Sequence, residues 1–116
     1  MPELLDQRYF DAALPNRVAV ARRTLRPIAL VLLNVDGDAS LLTTGVRESD
    51  TACRLDDGRF ALLLEDTTGD GALLTVDRLR ALLPDATVRA GIAAYPADAL
   101  TAAELVIAAE AAVPTA

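Results

Sequence analysis

The chain contains no lysine and no histidine; all eleven basic residues among its 116 are arginine. That absence excludes a P-loop lysine, a lysine Schiff base, an imidazole general base and histidine ligation of zinc. Tryptophan is missing and there are only two Tyr and two Phe, so the core has to be built from many small aliphatic contacts. The single cysteine, Cys53, rules out an internal disulfide. It sits in an apolar strand pattern and reads as a small buried hydrophobe, because a reactive thiolate needs an exposed electropositive site. No run is long enough to span a bilayer, and the opening "MPELLDQRYF" has neither a basic n-region nor an apolar h-region. A cytoplasmic protein without a membrane segment is expected. The formal charge is −6, with acids dispersed along the chain. No basic stripe is available to displace counterions, which argues against sequence-independent binding of nucleic acid.

What is present is one domain, residues 1–116, without repeats or low-complexity tracts. Residues 3–24 read as helix with a break or re-start at Leu14-Pro15-Asn16-Arg17, and Arg26-Pro27 ends it. "PIALVLLNV", 27–35, is a continuous aliphatic run of strand length, the pattern of a central strand buried on both faces. A turn follows at "DGDAS", and residues 40–49 fit either a short helix or an irregular crossing. Strands at 51–55 and 59–65 flank Asp56-Asp57-Gly58, a hairpin signal because Asp-Gly tolerates positive φ. Residues 69–83 place Ala72, Val76, Leu79 and Leu83 on one helical face. "ATVRAGIAAYP" is a further strand, and Thr101 with Glu104 forms a capping box opening a helix to about residue 112. Strands and helices mixed around a hairpin predict an α+β layer fold with an antiparallel-rich sheet and helices on its faces.

In that order the segments resemble the GGDEF domain family of diguanylate cyclases, whose fold is palm-like and ferredoxin-related. The resemblance covers nearly the whole chain. "LPNR" at 14–17 is similar to the N-terminal signature, and "RPIALVLLNVD" at 26–36 to the first strand. "RLDDGRFALLLEDT" resembles the signature hairpin with its following strand, "VDRLRALL" the next helix, and "VRAGIAAYP" the strand after it. Aligned on Phe60, the family's Gly-Gly-Asp-Glu becomes Asp56-Asp57-Gly58-Arg59. The glycines that let the backbone approach a nucleotide are replaced, and the third and fourth acidic positions are Gly58 and Arg59. Asn34 stands where the family places a metal-binding Asp, a weaker ligand for a hard cation, and Asp36 matches a second acid. The stretch from Asn34 to Asp56 is shorter than the family pattern by roughly twenty residues, a helix's worth. The C-terminal lysine that contacts phosphate has no counterpart in "AAVPTA". The resemblance therefore implies a degenerate member without cyclase activity, metal or cofactor.

One element of the family pattern is retained. Its inhibitory site for cyclic di-GMP has the form Arg-x-x-Asp, five residues before the signature, and Arg47-Glu48-Ser49-Asp50 fits with Thr51 to Leu55 between. Arginine presents a planar fork to a guanine edge or a phosphate, and a carboxylate accepts from guanine N–H groups. Arg78 matches a third contributor on the following helix, with Arg80 as its nearest substitute. The resemblance implies a sensor or effector that binds cyclic di-GMP through Arg47, Asp50 and Arg78. The plainer readings are a local Arg47–Asp50 ion pair and a solvated Arg78.

The alternative function is a protein-interaction or homodimerisation module that no longer binds nucleotide, since loss of a covering helix would bare apolar sheet surface. A residual nucleotide-processing enzyme is the third reading. "NVDGD" at 34–38 resembles a calcium loop only faintly, with Gly45 where a bidentate Glu is required. "TTGDG" at 67–71 is a loop and helix cap before it is an anion site.

Overall fold

The computed structural model describes residues 3–114. The order is β1 (Leu4–Leu5), α1 (Gln7–Thr24), β2 (Ile28–Asp36), a 3-10 turn at Leu42–Gly45, β3 (Thr51–Arg54), β4 (Phe60–Glu65), α2 (Gly69–Leu82), β5 (Thr87–Tyr95) and α3 (Ala102–Ala112). The strands form one sheet in the order β1-β3-β4-β2-β5. Every pairing is antiparallel except β1 with β3, which is parallel. β2 is an interior strand, between β4 and β5, and its first six residues are buried, as its unbroken aliphatic run predicts.

The N-terminal segment differs from expectation in two respects. Leu4 and Leu5 are strand rather than helix, paired with Ala52 and Cys53. The helix begins only after Asp6, whose carboxylate accepts from the Tyr9 N–H at 2.9 Å. Nor is there a break at Leu14-Pro15: α1 runs through Pro15 without interruption. Proline forfeits one backbone bond there, but Phe10, Leu14, Val18 and Ala21 are all buried on one face and hold the helix against the sheet. The helix stops at Leu25, which takes the left-handed conformation with φ of 58° and is 90% exposed.

Two layers of side chains enclose the sheet. On one face Phe10, Leu14 and Val18 of α1 and Leu105 and Ala109 of α3 meet Leu30, Leu32, Leu63 and Ala93. On the other, Ala72, Val76 and Leu79 of α2 meet Val31, Leu33, Leu62 and Leu64. The connection from β2 to β3 contains only the 3-10 turn. It nevertheless leaves no bared sheet face, contrary to expectation: Leu42 and Val46 plug that side and Val31, Leu33, Leu62 and Leu64 are wholly buried. Gly45 makes this possible, because a Cβ there would collide with the Leu79 side chain. Among the described residues no helix is long and apolar enough to cross a membrane.

The β3–β4 hairpin closes through a three-residue loop. Gly58 N–H donates to the Leu55 carbonyl at 3.0 Å, and Leu55 N–H to the Arg59 carbonyl at 2.7 Å. This is a type I turn completed by a glycine at positive φ, here 91°. Only Gly58 needs that conformation; Asp57, expected to share it, does not adopt it. Asp57 instead folds its carboxylate back onto the Arg59 N–H at 3.0 Å.

Candidate functional site

The Arg47–Asp50 pair sits where the 3-10 turn runs into β3, against the end of β4. Asp50 is 5% exposed. Its carboxylate accepts from the Arg47 backbone N–H and Nε at 3.1 Å each, from Arg47 Nη2 at 3.1 Å, and from the Glu65 N–H at 3.0 Å. Arg47 Nη2 also donates to the Glu65 carbonyl and to Thr67 Oγ1, both at 2.7 Å. The hydrogen bonds Arg47 donates to the Asp50 carboxylate raise its pKa above the ordinary value. Asp50 is therefore a buried support that aims Arg47, and its oxygens do not line the adjoining pocket.

That pocket, about 340 Å³, lies between the β4–α2 loop and the first turns of α2. It joins two of the three residues singled out by pattern: Arg47 from the β3 side and Arg78 from α2 both line it. Arg78 Nε donates to the Gly45 carbonyl at 3.0 Å; its two terminal nitrogens, like Nη1 of Arg47, have no hydrogen-bond partner among the described residues. Arg80, its nearest substitute in sequence, turns to the Val88 carbonyl on β5 instead. Asp66 is the acid on the rim, and it is already paired with Arg26 at 2.8 Å.

The sequence pattern ranks an anion site at "TTGDG", 67–71, below a simple loop and cap and does not mark Leu74 or Thr75, yet these segments form the other walls of the pocket. Thr67, Thr68, Gly71 and Thr75 line it, and Thr68 caps α2 by accepting from the Gly71 N–H at 3.3 Å. The signal was "TTGDG", whose hydroxyls, glycines and helix start together set a positive dipole end beside two guanidinium groups. A further ion pair, Arg17 to Glu65 at 2.8 Å, ties α1 to the same β4 end.

The hairpin tip is arranged differently. Asp57 is held by Arg59 Nε at 2.7 Å, and the Arg59 backbone N–H, with this side-chain bond behind it, lowers its carboxyl from the ordinary aspartate value. Arg59 also reaches Glu110 of α3 at 3.2 Å, while the Asp56 N–H donates to Gln7 Oε1 at 3.1 Å. A groove of about 830 Å³ runs beside the tip, and Gly58 and Phe60 line it while Asp56, Asp57 and Arg59 do not. Arg54 stacks over the Phe60 ring at 5.3 Å. Neither Asn34 nor Asp36 faces the groove. Among the described residues no cluster of three or more acidic or cysteine side chains is placed to hold a metal.

Neither a protein-family model nor a curated protein matches the chain. Solved structures do. The GGDEF domain of TpbB (also called YfiN) from Pseudomonas aeruginosa superposes with a TM-score of 0.83 at 25% identity, over 94% of this chain and 81% of that one. The chain has the fold of a GGDEF domain. The GGDEF domain of DgcB from Caulobacter crescentus, solved in complex with c-di-GMP, gives a TM-score of 0.83 at 17% identity, covering 95% of this chain and 81% of the other. A DGC protein from Thermotoga maritima gives 0.81 at 16% identity, with 97% of each chain covered. On this GGDEF fold the Arg47–Arg78 pocket lies at the α2 side of the sheet end, apart from the groove at the hairpin tip.

Proposed function

We propose that this chain is a GGDEF-fold domain without cyclase activity that binds cyclic di-GMP in the α2 pocket, serving as a sensor or effector. The observation that carries the reading is the convergence of Arg47 and Arg78 on one pocket from different elements. Arg78 offers two terminal nitrogens and Arg47 one, Nη1, to a guanine O6/N7 edge or a phosphate, and Asp50 fixes Arg47 from behind. The capped N-terminus of α2 adds favourable potential for an anion. A volume of about 340 Å³ is at the small end of ligand pockets, so it takes one guanylate half and leaves the other to solvent or to a second molecule. Loss of cyclase activity is supported by the Asp57–Arg59 pairing at the tip and by Asn34 on β2. A carboxylate already committed to a guanidinium makes a poor magnesium ligand.

Calorimetry with cyclic di-GMP tests the binding. The wild type is expected to bind, and Arg47→Ala and Arg78→Ala each to weaken affinity tenfold or more. No heat at several hundred micromolar ligand overturns the reading. Incubation with GTP and Mg²⁺ tests the other half, and any cyclic dinucleotide formed refutes inactivity. The second reading is an interaction module that no longer binds nucleotide. It is supported by the bonds Arg47 already makes to Asp50, Glu65 and Thr67, and it predicts a silent titration.

A further inference from the structure

β5 is an edge strand of nine residues, paired with β2 along its full length and with no strand on its other side among the described residues. An antiparallel strand points alternate residues' N–H and C=O groups toward each neighbour. The outward set on β5 is marked by what caps it. Ala94 donates its N–H to Asp98 Oδ2 at 2.8 Å and accepts from the Asp98 N–H at 2.8 Å. Six residues back on the same edge, the Val88 carbonyl accepts from Arg80 Nε and Nη2 at 3.3 and 3.1 Å. The same alternation turns Ala90 and Ile92 outward, and neither has a backbone bond on that side among the described residues. Two caps thus bracket a slot with two donors and two acceptors.

We propose that this slot pairs with the same slot of a second copy of the chain, joining the two sheets through an antiparallel β5–β5 contact centred on Gly91. The slot is self-complementary. A two-fold axis at Gly91 puts Ala90 opposite Ile92 of the other copy, and each such pair exchanges both of its bonds, so all four open groups are satisfied in each copy. A shift of register in either direction drives an open group onto a position already held by Asp98 or Arg80. The edge carries one charged side chain, Arg89, and no proline inside the strand, so it lacks the usual devices that keep an edge unpaired. Gly91 lies against the end of α3, where a Cβ would strike the Ala109 carbonyl oxygen; the helix covers the face of the strand and leaves its edge open. The contact uses neither Arg47 nor Arg78, so it stands or falls separately from nucleotide binding.

The experiment is sedimentation equilibrium on the full chain without nucleotide, with amide hydrogen exchange on the same samples. The expected result is a monomer–dimer equilibrium, with the Ala90 and Ile92 amides gaining protection as concentration rises. Ala90→Pro removes one outward donor and no β2 ladder bond, and is expected to weaken dimerisation at least tenfold. Arg80→Ala with Asp98→Ala lengthens the slot and is expected to tighten it, which keeps the test decisive if the proline variant does not fold. A chain that stays monomeric to several hundred micromolar overturns the proposal. So does a dimer with unprotected Ala90 and Ile92 amides, or edge protection conferred by another protein's peptide with no self-association.

Discussion

The Arg47–Asp50 pair predicts an unusually strong coupling for two residues three positions apart. The Asp50 side chain is 1% exposed and accepts four hydrogen bonds, two of them from the Arg47 side chain. Arg47→Ala leaves that carboxylate with only the backbone N–H groups of Arg47 and Glu65. Breaking a fully buried pair costs about 3–5 kcal/mol, and a hydrogen bond to a charged group contributes about 1.5–3 kcal/mol. The Arg47 side chain is 53% exposed, so water recovers part of the loss and about 2–3 kcal/mol is the expected destabilisation. Asp50→Asn keeps the shape but turns an amide nitrogen toward a donor, and is expected to cost about 2 kcal/mol.

Because both substitutions remove the same interaction, the double variant should cost little more than the worse single one. The expected coupling is about 1.5–2.5 kcal/mol, against about 0.2–1 kcal/mol for an exposed pair. Urea unfolding of the four proteins, with the m-value unchanged across them, measures it. A coupling below about 0.5 kcal/mol refutes the claim that Asp50 is a buried support for Arg47. The same series separates support from contact in the pocket. Under the proposed function, Asp50→Asn should weaken cyclic di-GMP binding by loosening Arg47, although no Asp50 oxygen lines the pocket.

Three further outcomes follow from single residues. Leu25→Gly should stabilise the fold by about 1 kcal/mol in thermal unfolding, since Leu25 holds φ of 58° at 90% exposure and has little packing to lose; a lower Tm contradicts this. Burial pushes the Cys53 thiol up to about 11, so a thiol-reactive disulfide reagent at pH 8 should label it only after denaturant is added, and rapid native labelling counts against the fold position. Burial also raises the Glu65 carboxyl, against the pull of Arg17. Its folded value lies above its unfolded one, so its contribution to stability is full below the unfolded pKa of about 4.3 and is lost as pH rises through the folded value. Glu65→Gln should flatten that part of the stability curve, and an unaltered curve refutes the assignment.

Much of the fold is legible in the residues because its signals are local. The unbroken aliphatic run of β2, the period of α2 and the Asp-Gly turn each carry their own geometry, and each occurs where its pattern places it. Leu4 and Leu5 do not, since two residues have no period and are strand only because β3 lies beside them. Pro15 misleads for a related reason: proline's local cost is fixed, but the five buried side chains that outweigh it belong to the tertiary structure. The bared sheet face was a subtraction from a pattern, and it failed because Gly45 lets a single 3-10 turn sit close enough to fill the space.

The same distinction separates the two groups of acids. Spacing located Asp50 beside Arg47, but it could not show that the carboxylate points inward. That depends on the Glu65 N–H, which comes from a strand distant in sequence and reaches Asp50 only through the β3–β4 register. Asp56 and Asp57 sit at an exposed tip whose backbone geometry Gly58 alone demands. There the nearest cation, Arg59, takes up Asp57, and Glu110 takes up the remainder of Arg59. Asp57 in the hairpin loop is thus held by its own neighbour, whereas the buried Asp50 takes up Nε and Nη2 of Arg47 and leaves Nη1 outside. The α2 pocket thus receives Arg47 without the carboxylate that holds it, and the one acid among its lining residues, Asp66, is itself paired with Arg26.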